Sequence, residues 1–225
     1  MQIVEVFQSL QGEGLLIGLP MIFVRLWGCD MACTWCDTRY SWAPEYKNST
    51  KREHYTPSGL AERLLSFQTH AKWVNFTGGE PTLWAAEISE TVDLLPRNFQ
   101  TCIQTNGRKW HEELFSKLSR ICMDMKCPKS GEKSDEKLLS KLRASDEVKF
   151  TIFDQDDLRV ALDIHEQNPT KAAVVFQPVI LSTENFDVYL ARSRWLAEEI
   201  QRRGYSDIRV LPQWHQLLWR DLRGH

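Results

Sequence analysis

Short apolar runs alternate with longer stretches of helical spacing throughout this chain, and that alternation restricts the fold more than any other feature. The runs fall at residues 3–7, 21–26, 73–77, 100–104, 121–125, 147–150, 173–179 and 208–210. Strands separated by helix-length segments cannot join through tight hairpins; they pair in parallel, each linked to the next by a crossover helix. Two helices announce their ends. Thr56-Pro57 puts a hydroxyl N-cap before a proline at the first helical position, with Leu60, Leu64 and Phe67 at helical spacing behind it. The longest helix is expected over about 184–202, with Phe186, Tyr189, Leu190, Ser193, Leu196, Ala197 and Ile200 on one face and Gly204 as its stop. At 225 residues the chain falls short of the roughly 250 that a complete eight-stranded barrel takes. The expected fold class is therefore α/β, a partial, open parallel β/α barrel whose open side leaves room for a bulky substrate. Polar stretches at 41–55 and 129–135 read as surface loops. No linker divides the chain, so residues 1–225 are expected to form a single domain.

The balance of 28 Lys and Arg against 30 Asp and Glu, a formal charge of −2 at pH 7, argues against nucleic acid or a membrane surface held by net attraction. No apolar run reaches the roughly 18 to 20 residues of a membrane span, and Met1 to Val6 lacks the basic-then-apolar form of an export signal. A cytoplasmic location is expected, where thiols stay reduced. The six cysteines are unevenly spread: Cys29, Cys33 and Cys36 crowd one loop, while Cys102, Cys122 and Cys127 are expected to be packing residues in or near strands. The crowded loop leaves the carboxyl end of the 21–26 strand, where parallel α/β proteins place chemistry. Structural zinc wants four ligands, and only His54 lies within easy reach in sequence. Three thiolates suit a four-iron four-sulfur cubane, each holding one iron and leaving the fourth open to a substrate or cofactor.

Polar residues also stand at later strand ends: Gly78-Gly79-Glu80-Pro81, Gln104-Thr105-Asn106-Gly107, Asp124-Met125-Lys126 and Gln177-Pro178. Each alone is equally an ordinary turn or strand-end polarity. Paired glycines also admit close backbone approach, and an acid beside them can accept from an ammonium group. Together these segments converge on one mouth, as a barrel-type site requires. Ahead of the cysteines, Gln11-Gly12-Glu13-Gly14 forms a tight turn able to present backbone groups and Glu13 to a heterocycle. Arg25, inside an otherwise apolar strand, needs a partner, either a bidentately gripped carboxylate ligand or a salt bridge. On their own, Thr38 reads as a turn residue and His215 as a surface or satisfied core histidine.

The Cys29-x-x-x-Cys33-x-x-Cys36 spacing, with Trp35 before the last cysteine, resembles the signature of the radical S-adenosylmethionine (SAM) superfamily. Four motifs in order, Ser9-x-Gln11-Gly12-Glu13-Gly14, the cysteine motif continued by Asp37-Thr38, Thr77-Gly78-Gly79-Glu80-Pro81 and Leu211-Pro212-Gln213-x-His215, resemble the 7-carboxy-7-deazaguanine synthase family within it. The resemblance spans the chain. It implies a lyase of queuosine and deazapurine biosynthesis that converts 6-carboxy-5,6,7,8-tetrahydropterin to 7-carboxy-7-deazaguanine. The reaction is a ring contraction with loss of ammonia, begun when a 5′-deoxyadenosyl radical abstracts a substrate hydrogen. The cofactors implied are a 4Fe-4S cluster on Cys29, Cys33 and Cys36, SAM, and Mg²⁺ on Thr38. SAM contacts fall to Trp35, Gly78, Gly79, Glu80, Gln104, Asn106, Asp124, Met125, Lys126, Gln177 and Pro178. Pterin contacts fall to Leu10, Gln11, Gly12, Glu13, Arg25, Thr77, Gln213 and His215. The cluster loop would occupy about 27–40 and a substrate-contacting C-terminal segment about 208–219. The implied partners are the pterin, a flavodoxin or ferredoxin-type electron donor and a second copy in a homodimer, with no nucleic acid and no membrane. This chain departs from some members that carry Ser-Pro-Lys where Asp124, Met125 and Lys126 stand. It departs also from those ending in a proline, because it runs on through Trp219 to Gly224-His225. Two alternatives stand beside this family: a glycyl-radical-enzyme activating protein, which would lack the Gln11 to Gly14 turn, and a non-enzymatic metal-stabilised module.

Overall fold

The computed structural model describes residues 1–220; the tail through Gly224 and His225 lies outside the described residues. The apolar runs become strands β1 (Gln2–Leu10), β2 (Pro20–Leu26), β4 (Trp73–Gly78), β5 (Gln100–Thr105), β6 (Arg120–Met125), β7 (Glu147–Ile152), β8 (Ala173–Pro178) and β9 (Ile208–Val210), with β3 (Glu53–His54) added at the edge. Among the described residues they form one sheet in the order β3-β1-β2-β4-β5-β6-β7-β8-β9. From β2 to β9 every pairing is parallel, so the sheet is the open, partial barrel that the alternation predicts. The start of the chain is the exception. β1 pairs with β2 and β3 antiparallel, because residues 11–19 between β1 and β2 are fewer than the dozen or so that a crossover needs. The stretch 41–55 is likewise more than a loop, since it supplies that edge strand and a one-turn helix at Pro44–Tyr46.

Among the described residues, five helices connect strands and a sixth follows the last one: α1 (Pro57–Leu65), α2 (Ala85–Leu94), α3 (Glu112–Lys117), α4 (Gln155–Gln167), α5 (Phe186–Arg203) and α6 (Trp214–Leu218). Local chemistry sets their ends. The Thr56 side chain accepts from the Gly59 N–H ahead of Pro57, and Asn185 accepts from Asp187 N–H to start α5, which Gly204 ends at φ 78°. On α5 the buried residues are Tyr189, Leu196 and Ile200. Leu190, expected on that face, is 41% exposed; one helical step is about 100°, which turns it off the stripe covered by the sheet.

Strand alternation separates two faces. Val24, Phe76, Ile103, Ile121, Met123, Val148, Phe150 and Phe176 are buried in the main apolar core. Arg25, Thr77, Gln104, Cys122, Asp124, Lys149 and Gln177 lie at intervening positions and line a cavity. A smaller apolar cluster of Met21, Phe23 and Cys102, with Phe7, Leu16, Leu19 and Trp73 packed against it, is separate from the main core. No helix among the described residues is long and apolar enough to cross a membrane.

Candidate active site

The cavity measures about 500 Å³, within the roughly 300–1,000 Å³ of small-molecule sites. Every residue singled out in the sequence for a ligand lines it except Met125 and Pro178. Both are buried, and strand alternation turns them away from Asp124 and Gln177, their neighbours that do line the cavity.

The cysteine loop follows β2 and is held from several sides. Gly28 N–H donates to Ser41 O (2.9 Å), Gly79 N–H to Leu26 O (3.1 Å) and Glu80 N–H to Gly28 O (2.7 Å). Thr34 N–H donates to Ser130 O (3.0 Å) and Ala32 N–H to Glu132 Oε1 (2.7 Å). The stretch 129–135, read from sequence as a plain surface loop, therefore braces the cysteines. Gly79 must be glycine, because a Cβ there would collide with the Gly28 carbonyl and the Cys29 amide. Burial pushes the Cys29 thiol up to about 12 and raises that of Cys33 despite the opposing Lys126 charge. Thiols so placed need a cationic centre to hold them as thiolates. Trp42 Nε1–H donates to Cys36 Sγ at 3.2 Å, the kind of outer-shell bond that orients a metal-binding sulfur. Among the described residues no three His, Cys, Asp or Glu side chains are grouped to hold a single metal ion. A cubane asks for a wider spread, with each thiolate on its own iron, so the three cysteines fit a cluster better than a lone ion. Cys102 is 3% exposed within the smaller apolar cluster. Cys102→Ala is therefore expected to leave the iron content of the reconstituted protein unchanged; a fall in iron would place it among the ligands.

The strand-end motifs bind one another. Glu80 is 1% exposed. Its Oε1 accepts from Thr82 N–H (3.0 Å), the Thr82 hydroxyl (2.6 Å) and the Thr105 hydroxyl (2.8 Å), and its Oε2 from Asn106 N–H (2.7 Å). The acid expected to receive an ammonium thus also stitches the turn after β4 to the end of β5. Asn106 Nδ2–H extends the stitch to Asp30 Oδ1 (2.7 Å) in the cysteine loop. The Thr77 hydroxyl donates to Gln104 Oε1 (3.1 Å). Asp124 lies between two ammonium groups, Lys126 at 3.0 Å and Lys149 at 3.5 Å.

Across the cavity, the turn after β1 meets the C-terminal segment. Trp214 N–H donates to Gly12 O (2.7 Å), and the His215 ring lies where a Gly12 side chain would be. Glu13 accepts from Gln213 Nε2 (2.7 Å), Gln177 Nε2 (3.3 Å) and Lys149 Nζ. Burial alone would raise the Glu13 pKa, but the Lys149 ammonium and the His215 ring outweigh it and hold the carboxyl down at about 2. Arg25 Nε–H donates to Glu5 Oε1 at 2.6 Å, and the guanidinium lies 5.7 Å from the ring centres of both Phe7 and Tyr40. Three contributors escaped the sequence reading. Asp37, whose Oδ2 lies 3.4 Å from His215 Nε2 and accepts from Gln216 Nε2 at 3.3 Å, stood inside a quoted motif without a role. Lys149 carried the signal that singled out Arg25, a lone cation between the apolar residues Val148 and Phe150. Trp42 carried none.

An open α/β sheet with a three-cysteine loop on its first parallel strand defines a radical SAM enzyme, and residues 27–125 match the radical SAM superfamily, which implies a 4Fe-4S cluster and SAM. A 7-carboxy-7-deazaguanine synthase of Methanospirillum hungatei is 41% identical over 180 residues, 80% of this chain and 73% of that one. One of Thermoplasma acidophilum is 34% identical over the full length of both chains. The crystal structure of QueE from Escherichia coli superposes with a TM-score of 0.72 over 95% of this chain and 94% of that one at 24% identity, a likeness of fold. The chain belongs to the 7-carboxy-7-deazaguanine synthase family. It is a radical SAM lyase of deazapurine biosynthesis, acting on a small molecule with the help of a reductant.

Proposed function

We propose that the chain converts 6-carboxy-5,6,7,8-tetrahydropterin to 7-carboxy-7-deazaguanine by radical ring contraction with loss of ammonia. The observation that carries this reading is convergence: the cysteines and SAM-side strand ends share one cavity with the turn at Leu10 to Glu13, Arg25 and the C-terminal Gln213 and His215. When bound, a cluster reduced by an external donor would deliver one electron to SAM, and the two together would supply the 5′-deoxyadenosyl radical that takes a substrate hydrogen. The protein's own work is placement. Arg25 spends Nε on Glu5, and among the described residues its terminal nitrogens make no hydrogen bond, leaving them for the substrate carboxylate. Glu13, Gln213 and His215 would meet the heterocycle, with Leu10, Gln11, Gly12 and Thr77 along its edge. Trp35, Gly78, Gly79, Gln104, Lys126 and Gln177 would receive SAM, with Glu80 and Asn106 bracing them. Thr38, whose hydroxyl lies 3.5 Å from Gly78 O, would give Mg²⁺ one oxygen; substrate and water would supply the others, which suits an ion that keeps its waters. We read the chain as one domain working as a homodimer, reduced by a flavodoxin or ferredoxin-type donor.

The test is an anaerobic assay of the reconstituted protein with SAM, reductant, Mg²⁺ and the pterin, following products by mass spectrometry. The deazaguanine and 5′-deoxyadenosine should appear together. Deoxyadenosine without deazaguanine would retain the radical chemistry and reject the substrate.

A further inference from the structure

We propose that Lys149 is the positioning residue of the substrate turn: its ammonium, held between Glu13 and Asp124, fixes the Glu13 carboxylate so that one Oε2 lone pair is left for an N–H donor of the bound heterocycle. The inference rests on the pterin reading and specifies how that ring is gripped. Lys149 lies on β7 opposite Asp124 of β6, 5% exposed, yet it lines the cavity. Its ammonium reaches Glu13 and lies 3.5 Å from Asp124 Oδ2, joining the turn before β2 to the strand end on the SAM side. Two carboxylates around the ammonium keep it charged against burial.

Acceptor counting gives the consequence. A carboxylate offers about four lone-pair positions. Oε1 of Glu13 is filled by the amides of Gln213 and Gln177, and Oε2 takes Lys149. Among the described residues one position remains, on Oε2, and its direction is set by where Lys149 holds that oxygen. Without the ammonium, Glu13 would be a buried acid facing Asp37 with only the His215 ring to offset its charge, and it would protonate or swing away.

The test is a double-mutant cycle with Lys149→Met and Glu13→Gln on the cluster-loaded protein. Lys149→Gln stands in should Lys149→Met fail to fold. Amide hydrogen exchange over residues 8–18, measured without ligand, should quicken about tenfold or more in Lys149→Met. Pterin affinity by calorimetry should fall about tenfold or more in each single variant and no further in the double, with KM for the pterin rising and kcat holding within about threefold. Unchanged exchange in the lysine variant overturns the proposal. So do losses that multiply in the double variant, because Lys149 would then act on the ligand itself and not through Glu13. If the unaltered protein fails to bind the pterin, the substrate reading falls, and the exchange measurement alone decides the role of Lys149.

Discussion

Cys33→Ala is expected to yield a folded protein that neither retains a four-iron cluster nor forms 5′-deoxyadenosine. Losing an outer-shell partner of a metal ligand typically costs about 10- to 100-fold in affinity or activity; losing one of three ligands exceeds that. Cys33 is half-buried in a loop whose other anchors, Thr34 N–H on Ser130 O and Ala32 N–H on Glu132, do not involve its sulfur, so the backbone survives the change. The measurement is iron and sulfide content with the visible absorbance of the anaerobically reconstituted variant, beside its thermal unfolding curve. A variant that keeps the full cluster would remove Cys33 from the ligand set.

Gly79→Ala is the second large effect. The added methyl would fall on the Gly28 carbonyl and beside the Cys29 amide, backbone atoms that cannot rotate away as a side chain would. Gly79 N–H and Glu80 N–H are meanwhile bonded to Leu26 O and Gly28 O, so moving either segment breaks a bond. Overpacking of this kind costs about 1–3 kcal/mol, and if it is expressed in the cofactor site it weakens SAM binding about 5- to 150-fold. Equilibrium binding of SAM to the cluster-loaded variant checks this. An affinity equal to that of the parent would show that the cysteine loop tolerates displacement.

Both predictions rest on residues that local pattern made visible. The cysteines stand in one loop, and Gly78-Gly79-Glu80-Pro81 follows a strand whose alternation is plain in Val74-Asn75-Phe76-Thr77. The parallel strands, the N-cap at Thr56 and the stop at Gly204 were legible for the same reason, since each depends on residues within a few positions of one another. Glu80 was harder to read. Its sequence position suggested a ligand acceptor, but the hydroxyl and amide donors of Thr105 and Asn106 that occupy it arrive from β5, 25 and 26 residues away.

What the sequence by itself determined was eight of the nine strands described, the two helices whose ends it marks, the three-cysteine loop and the list of polar strand ends, because periodicity, caps and motif spacing are short-range properties. The tertiary structure alone decided that β1 runs antiparallel and that Arg25 leans on Glu5 through Nε. It alone set the Lys149 ammonium between Glu13, 136 residues away, and Asp124, and Asp37 against His215, 178 residues away. Those pairings depend on which strand ends the sheet brings to one mouth, and neither propensity nor spacing carries that information.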